Sequence, residues 1–182
     1  MDKVGRYRCN GGRDSDDGWN YNAHTTVGSY LPNAWGRVFV IILNMLQIKY
    51  VTLSREFRFS AAHRLHREEW SEEKNREAFG KCSSLHGHDY RLKVTVRSAG
   101  EGDMVVNVFD LKSVVEKEVI SLVDHRDLNT DVPFLAGVLP TMENIARKIA
   151  ERLEEPLRGI GAELHEITLW ESENNSATLH FA

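Results

Sequence analysis

Three histidines are the first residues with the right types and spacing for chemistry. His86-Gly87-His88 puts two imidazoles at i and i+2, which in a strand means one face. That face also carries Tyr90, Leu92, Val94 and Val96, so the two rings point toward a core and need partners there. His63 ends a second alternating segment, again on its apolar side. If the two segments are neighbours, three neutral ring nitrogens converge with a fourth position open, the donor set of a catalytic Zn²⁺ site.

Cys82 lies four residues before His86, among the polar Lys81, Ser83 and Ser84. A nearby cation would favour its thiolate, and the spacing leaves it open whether Cys82 is a fourth metal ligand or a base. Asp124-His125 closes a helical stretch. There an adjacent carboxylate can set the tautomer and basicity of an imidazole, and the plainer role is a histidine suited to a helix C-terminus. Glu171 ends an alternating run with Ile167 and Leu169. His66, His165 and His180 belong to no constellation and are read as surface or structural.

The elements that must position these groups are readable from periodicity. Leu53, Phe57, Phe59, Ala61 and His63 alternate with polar residues in a first strand, and residues 86–97 form a second. The charged stretch 64–80 is a long loop, or a loop with a short helix. Leu111, Val114, Val115, Val119, Leu122 and Val123 keep helical spacing behind Asp110 as N-cap. Pro140 and Thr141 open a second helix with Ile145, Ala146, Ile149, Ala150 and Leu153 on one face. Strands from about Leu164 to Glu171 and over Ala177–Phe181 flank a turn at Glu173-Asn174-Asn175-Ser176. The order ββααββ predicts an α+β fold, with a mostly antiparallel sheet and both helices on one face. Four strands leave two open edges, so the expectation is an oligomer joined edge to edge.

Composition narrows the class further. The chain has 182 residues, of which 41% are hydrophobic, and a net charge of −4. That suits one globular domain and argues against binding nucleic acid or an anionic membrane through bulk charge. The two cysteines, Cys9 and Cys82, do not make a disulfide scaffold, and a reducing cytoplasm is the expected setting. The longest apolar run, Val38–Leu43, is too short to span a bilayer. Residues 1–36 hold six of the 13 glycines and two of the four tryptophans without a sustained period. Residues 1–50 are therefore expected to be an irregular N-terminal extension to a working domain over 51–182, with Met45 as an alternative start.

Five motifs in order resemble the 6-pyruvoyl-tetrahydropterin synthase and 6-carboxy-tetrahydropterin synthase family. They are Phe59-Ser60-Ala61-Ala62-His63-Arg64-Leu65, Cys82-Ser83-Ser84-Leu85-His86-Gly87-His88-Asp89-Tyr90, Asp124-His125-Arg126-Asp127-Leu128-Asn129, Pro140-Thr141-Met142-Glu143-Asn144 and Trp170-Glu171-Ser172-Glu173-Asn174-Asn175. The resemblance covers residues 53–182. It implies a tunnelling fold (T-fold), whose sheets join between subunits into a barrel, in a homohexamer made as a dimer of trimers. It implies zinc on His63, His86 and His88, with Cys82 as general base and Asp124 and His125 as an acid–base pair. Glu171 becomes the anchor for the 2-amino-4-oxo edge of a pterin, taking two parallel N–H bonds, and Thr141 a second substrate contact.

The implied substrate is 7,8-dihydroneopterin triphosphate. The Cys82-x3-His86 spacing resembles the carboxy-forming branch that feeds queuosine synthesis. Asn174-Asn175 and the long 64–80 loop look more like the pyruvoyl type. The leading expectation is 6-carboxy-5,6,7,8-tetrahydropterin formation with release of acetaldehyde and triphosphate. The alternative is 6-pyruvoyl-tetrahydropterin formation, and a second is a non-catalytic zinc- or pterin-binding protein.

Overall fold

Alternation of apolar and polar residues builds the central sheet. The computed structural model describes residues 50–100 and 104–182, which fall within one unit, Ile48–Ala182. The glycine-rich leader, Cys9, the Val38–Leu43 run and the Met45 start lie outside the described residues. Strand β1 (Thr52–His63) pairs antiparallel with β2 (His86–Ser98) over its whole length, from Thr52 opposite Arg97 to His63 opposite His86. β2 pairs antiparallel with β4 (Ala162–Trp170), and β4 with β5 (Ser176–His180).

The sheet has a fifth strand that periodicity does not show. β3 is only Arg126–Asp127 and lies parallel to the end of β1, giving the order β3-β1-β2-β4-β5. Two residues are too few to show a period. The strand is fixed instead by backbone bonds from His125 N to Ser60 O and from Leu128 N to Ala62 O.

Among the described residues three helices accompany the sheet. α1 (Glu72–Phe79) lies inside the charged 64–80 stretch, capped by the Ser71 side chain and stopped at Gly80, whose φ is +58°, a conformation that suits glycine. α2 runs Val108–Val115, widens into a π-turn over Glu116–Ile120 and closes with Ser121–Val123. Its N-cap is Asn107, whose side chain accepts from Phe109 N, and not Asp110, which falls in the first turn and complements the helix dipole there. α3 (Met142–Arg158) starts behind Thr141, whose hydroxyl accepts from Asn144 N, and buries Ile145, Ala146, Ile149, Ala150, Leu153 and Leu157.

These faces meet in one core. Phe57, Phe59 and Ala61 from β1 join Tyr90, Leu92, Val94 and Val96 from β2, Ile167 and Leu169 from β4, and the apolar stripes of α2 and α3. Each fully buried Leu, Ile or Val side chain contributes roughly 1.5–3 kcal/mol. The other face carries exposed Ser54, Glu56 and Arg58. Among the described residues no helix is long and apolar enough to cross a membrane.

Candidate active site

The strand register brings the three histidines together. His63 is directly opposite His86, and His88 is opposite Ala61 on the same pair of strands. Ring centroids are 4.6 Å apart for His63 and His86, 5.1 Å for His63 and His88, and 4.8 Å for His86 and His88. One ligand atom from each lies within 4.8 Å of the others.

Backbone carbonyls decide which nitrogens are free. His63 Nδ1 is 2.9 Å from Pro140 O, and His86 Nδ1 is 2.8 Å from Ser84 O. A carbonyl only accepts, so both Nδ1 atoms carry the proton and both Nε2 atoms keep a lone pair. The second contact of a metal-bound histidine is usually of this kind. His63 is 2% exposed, and its Nε2 is buried with no hydrogen-bond partner. An orphaned acceptor of that sort costs about 1–3 kcal/mol, and a divalent cation would satisfy it. Burial holds the His63 imidazole below its usual pKa, against the pull of the Pro140 carbonyl, and burial lowers His88 as well. Neutral rings are the form that binds metal. The residues fit a zinc ion.

Glu171 faces the same cluster. It is half-buried, one residue past the end of β4. Its charge opposes the lowering of His63 and His88 and, after burial, helps push the Tyr90 phenol up. Thr141 sits next to Pro140, so the residue that caps α3 adjoins the one that holds His63.

Asp124 and His125 interact in a way that sequence neighbours seldom do. His125 Nδ1 is 3.0 Å from Asp124 Oδ2, and His125 is the one non-glycine residue with positive φ, +58°, among the described residues. That left-handed conformation, uncommon outside glycine, folds the ring back over the preceding side chain. Ser60 braces both residues. Its N–H donates to Asp124 Oδ1 at 2.9 Å, and its carbonyl accepts from His125 N at 2.6 Å. The Ser60 amide first, and His125 after it, hold the Asp124 carboxyl below its usual range. The His125 ring is 80% exposed. With Ser60, His88, Asp89 and Asp127 it lines an open cleft of about 500 Å³.

Cys82 is exposed on the 3₁₀ turn Gly80–Ser83 and is not part of the three-ligand group. Its carbonyl accepts from Leu65 N at 2.7 Å, which ties the 64–80 segment to the turn. Among the described residues no hydrogen bond or ion pair joins Cys82 or His125 to the three histidines. Of the remaining histidines, His180 lies 3.3 Å from Glu166, and His165 packs edge-on against Tyr50.

Two residues at the site escape sequence reasoning. Ser60 falls on the polar side of β1, and its role runs through its backbone, which alternation does not report. Tyr90 reads as one more core residue of β2. Its phenol oxygen is nevertheless buried without a partner, and an aromatic hydroxyl following two core-facing histidines is the signal that could have marked it.

Comparison with known proteins bears on the chemistry. The family model for 6-pyruvoyl tetrahydropterin synthase matches residues 52–181. A 6-pyruvoyl tetrahydrobiopterin synthase of Pongo abelii is 41% identical over 127 residues, covering 68% of this chain and 86% of that one. The solved 6-pyruvoyl tetrahydropterin synthase of Caenorhabditis elegans aligns with a TM-score of 0.64 at 37% identity, over 76% of this chain and 100% of that one. A 6-carboxy-5,6,7,8-tetrahydropterin synthase of Haemophilus influenzae is 31% identical over 146 residues, covering 66% of this chain and 92% of that one.

These relatives overturn the carboxy-forming, queuosine-directed expectation. That expectation rested on the Cys82-x3-His86 spacing, and the structure shows what the spacing measures. It is the length of the 3₁₀ turn and of Ser84–Leu85 ahead of β2. The histidines are set by the β1–β2 register instead, and the relatives at 37% and 41% identity carry the 6-pyruvoyl name. With the motifs, the fold and the relatives in agreement over residues 52–181, the chain belongs to the 6-pyruvoyl tetrahydropterin synthase family, a family of lyases.

Proposed function

We propose that the protein converts 7,8-dihydroneopterin triphosphate into 6-pyruvoyl-tetrahydropterin with release of triphosphate, using zinc. The observation that carries this reading is the convergence of His63, His86 and His88, with two Nδ1 protons engaged by carbonyls and the buried His63 Nε2 left free. The names of relatives at 37% and 41% identity support the 6-pyruvoyl product.

His63, His86 and His88 would hold the ion, which when bound supplies Lewis acidity toward the oxygens of the substrate side chain. The Glu171 carboxylate accepts two N–H bonds from the 2-amino-4-oxo edge, and Thr141 adds a second contact. Cys82, as thiolate, removes a side-chain proton. His125, oriented by Asp124, returns a proton elsewhere. The C–O bond to triphosphate breaks while hydrogens move from side-chain carbons to the ring, so no outside oxidant or reductant is consumed. Acid–base help of this kind contributes about 10²–10⁴-fold.

The open edges of β3 and β5 support self-association, and we assign a homohexamer with sheets joined between subunits. Residues 51–182 are assigned as the working domain, with residues 1–50 dispensable for activity, and cysteine usage supports a cytoplasmic setting. The deciding experiment incubates zinc-loaded protein with 7,8-dihydroneopterin triphosphate and identifies products by mass. A 6-pyruvoyl product with triphosphate and no acetaldehyde is expected. Acetaldehyde with a 6-carboxy product, or binding without any product, would overturn the assignment.

A further inference from the structure

Among the described residues, four buried side-chain nitrogen or oxygen atoms lack a hydrogen-bond partner, and two of them share one neighbourhood. One is His63 Nε2, which a metal would satisfy. The other is the Tyr90 hydroxyl, for which the described residues offer no partner. Tyr90 is 1% exposed. Its ring stacks on Phe59, with centroids 4.8 Å apart and planes 11° from parallel, and meets the edges of His88 at 5.6 Å and His63 at 6.1 Å. The ring is thus held in place, and a phenylalanine would fill the same volume without an orphaned polar atom.

The strand register says what lies near that hydroxyl. Arg91 is opposite Trp170, the pair that ends the ladder of β2 with β4, and Glu171 follows it near enough for its charge to act on the Tyr90 phenol, so both lie at the same end of the sheet. The Glu171 carboxylate makes no hydrogen bond or ion pair among the described residues. A phenol donor and a carboxylate acceptor therefore stand at one end of the sheet, next to three imidazoles. In a 2-amino-4-oxopterin the ring N–H and amino group that suit a carboxylate adjoin a carbonyl oxygen that suits a hydroxyl.

We propose that Tyr90 is a ligand-binding residue: its hydroxyl donates a hydrogen bond to the 4-oxo oxygen of a pterin whose donor edge is taken by Glu171. This rests on the pterin reading of the site above. It adds a specificity-determining contact that recognises the heterocycle independently of the side chain that reacts.

The test compares zinc-loaded wild type with Tyr90→Phe in the full chain. Calorimetric binding of 7,8-dihydroneopterin, which has no triphosphate to lose, is measured together with zinc content and the melting temperature of the ligand-free protein. Expected are a Kd raised roughly 5- to 10-fold, unchanged zinc, and a ligand-free melting temperature that is equal or higher. An unchanged Kd would overturn the proposal, as would a lowered ligand-free melting temperature without a binding change, since the hydroxyl would then have a partner within the protein. If wild type binds the pterin but forms no 6-pyruvoyl product, the reaction assigned above fails while the Kd ratio still decides Tyr90. If wild type binds no pterin, both fall.

Discussion

His125 turns its imidazole back onto the carboxylate of the residue before it, with Nδ1 3.0 Å from Asp124 Oδ2 at a backbone φ of +58°. The contact depends on an unfavourable backbone conformation, which the Ser60 N–H and C=O hold from the neighbouring strand. Removing the carboxylate should therefore harm orientation more than it harms the fold. For Asp124→Asn the expectation is a kcat lowered about 10²-fold with little change in KM, measured by steady-state kinetics.

The same carboxylate gives a pH signature in stability. Its folded pKa lies below the ordinary value of 3.8, so its contribution is fully present above the unfolded value and is lost as pH falls through the depressed one. The stability difference between wild type and Asp124→Asn should be constant near neutrality and shrink in acid, below about pH 4. Urea denaturation across that range reads it. A difference that stays constant into strong acid would mean the Ser60 and His125 contacts do not favour the ionised form.

Cys82→Ala separates a base from a ligand. The three histidines form a group without Cys82, so the variant should keep stoichiometric zinc and bind pterin normally while turnover falls about 10²–10⁴-fold. Loss of zinc in elemental analysis would place the thiolate on the metal.

His86→Ala removes a proposed zinc ligand whose other nitrogen is already held by Ser84 O. Zinc should drop from one per chain to near zero at micromolar metal, and the rise in melting temperature on adding zinc should disappear. A wild-type-like thermal response would remove the three-histidine centre as the binding site.

Asn75 is the buried clasp of the 64–80 segment. It is 0% exposed, accepts from Arg67 N at 2.8 Å, and donates to Arg67 O at 2.9 Å and Ser71 O at 3.2 Å. Asn75→Ala would leave Arg67 N without its acceptor, while Arg67 O and Ser71 O keep the Trp70 and Asn75 amides, at a cost of about 1–3 kcal/mol. Hydrogen exchange should show the lost protection between residues 64 and 82, with the sheet unaffected.

The parts of this protein that follow from side-chain periodicity are legible in the sequence alone. The alternation through His63 and through His86 and His88 put three imidazoles on matched faces, and Thr141 marked the start of α3. What depends on backbone is not. β3 exists because His125 N and Leu128 N bond to Ser60 and Ala62, and no residue type announces that. The positive φ of His125 falls on a histidine rather than a glycine, so adjacency in sequence leaves open whether Asp124 and His125 touch. The Asp110 cap failed because Asn107, three residues earlier, offers an equally good oxygen to Phe109 N. The Cys82–His86 interval misled because a turn can change length while the paired strands behind it keep their register.

The bond from His63 to the carbonyl of Pro140 joins the end of β1 to the residue just before the Thr141 cap of α3. A candidate ligand of the proposed zinc site is thereby fastened to the start of α3, so zinc binding and the docking of that helix would be thermodynamically coupled. Metal capture should tighten the seat of the helix, and a cavity cut far away, under Leu153 for instance, should be felt as weaker metal affinity. The centre would then act as a gauge of how well the domain is folded.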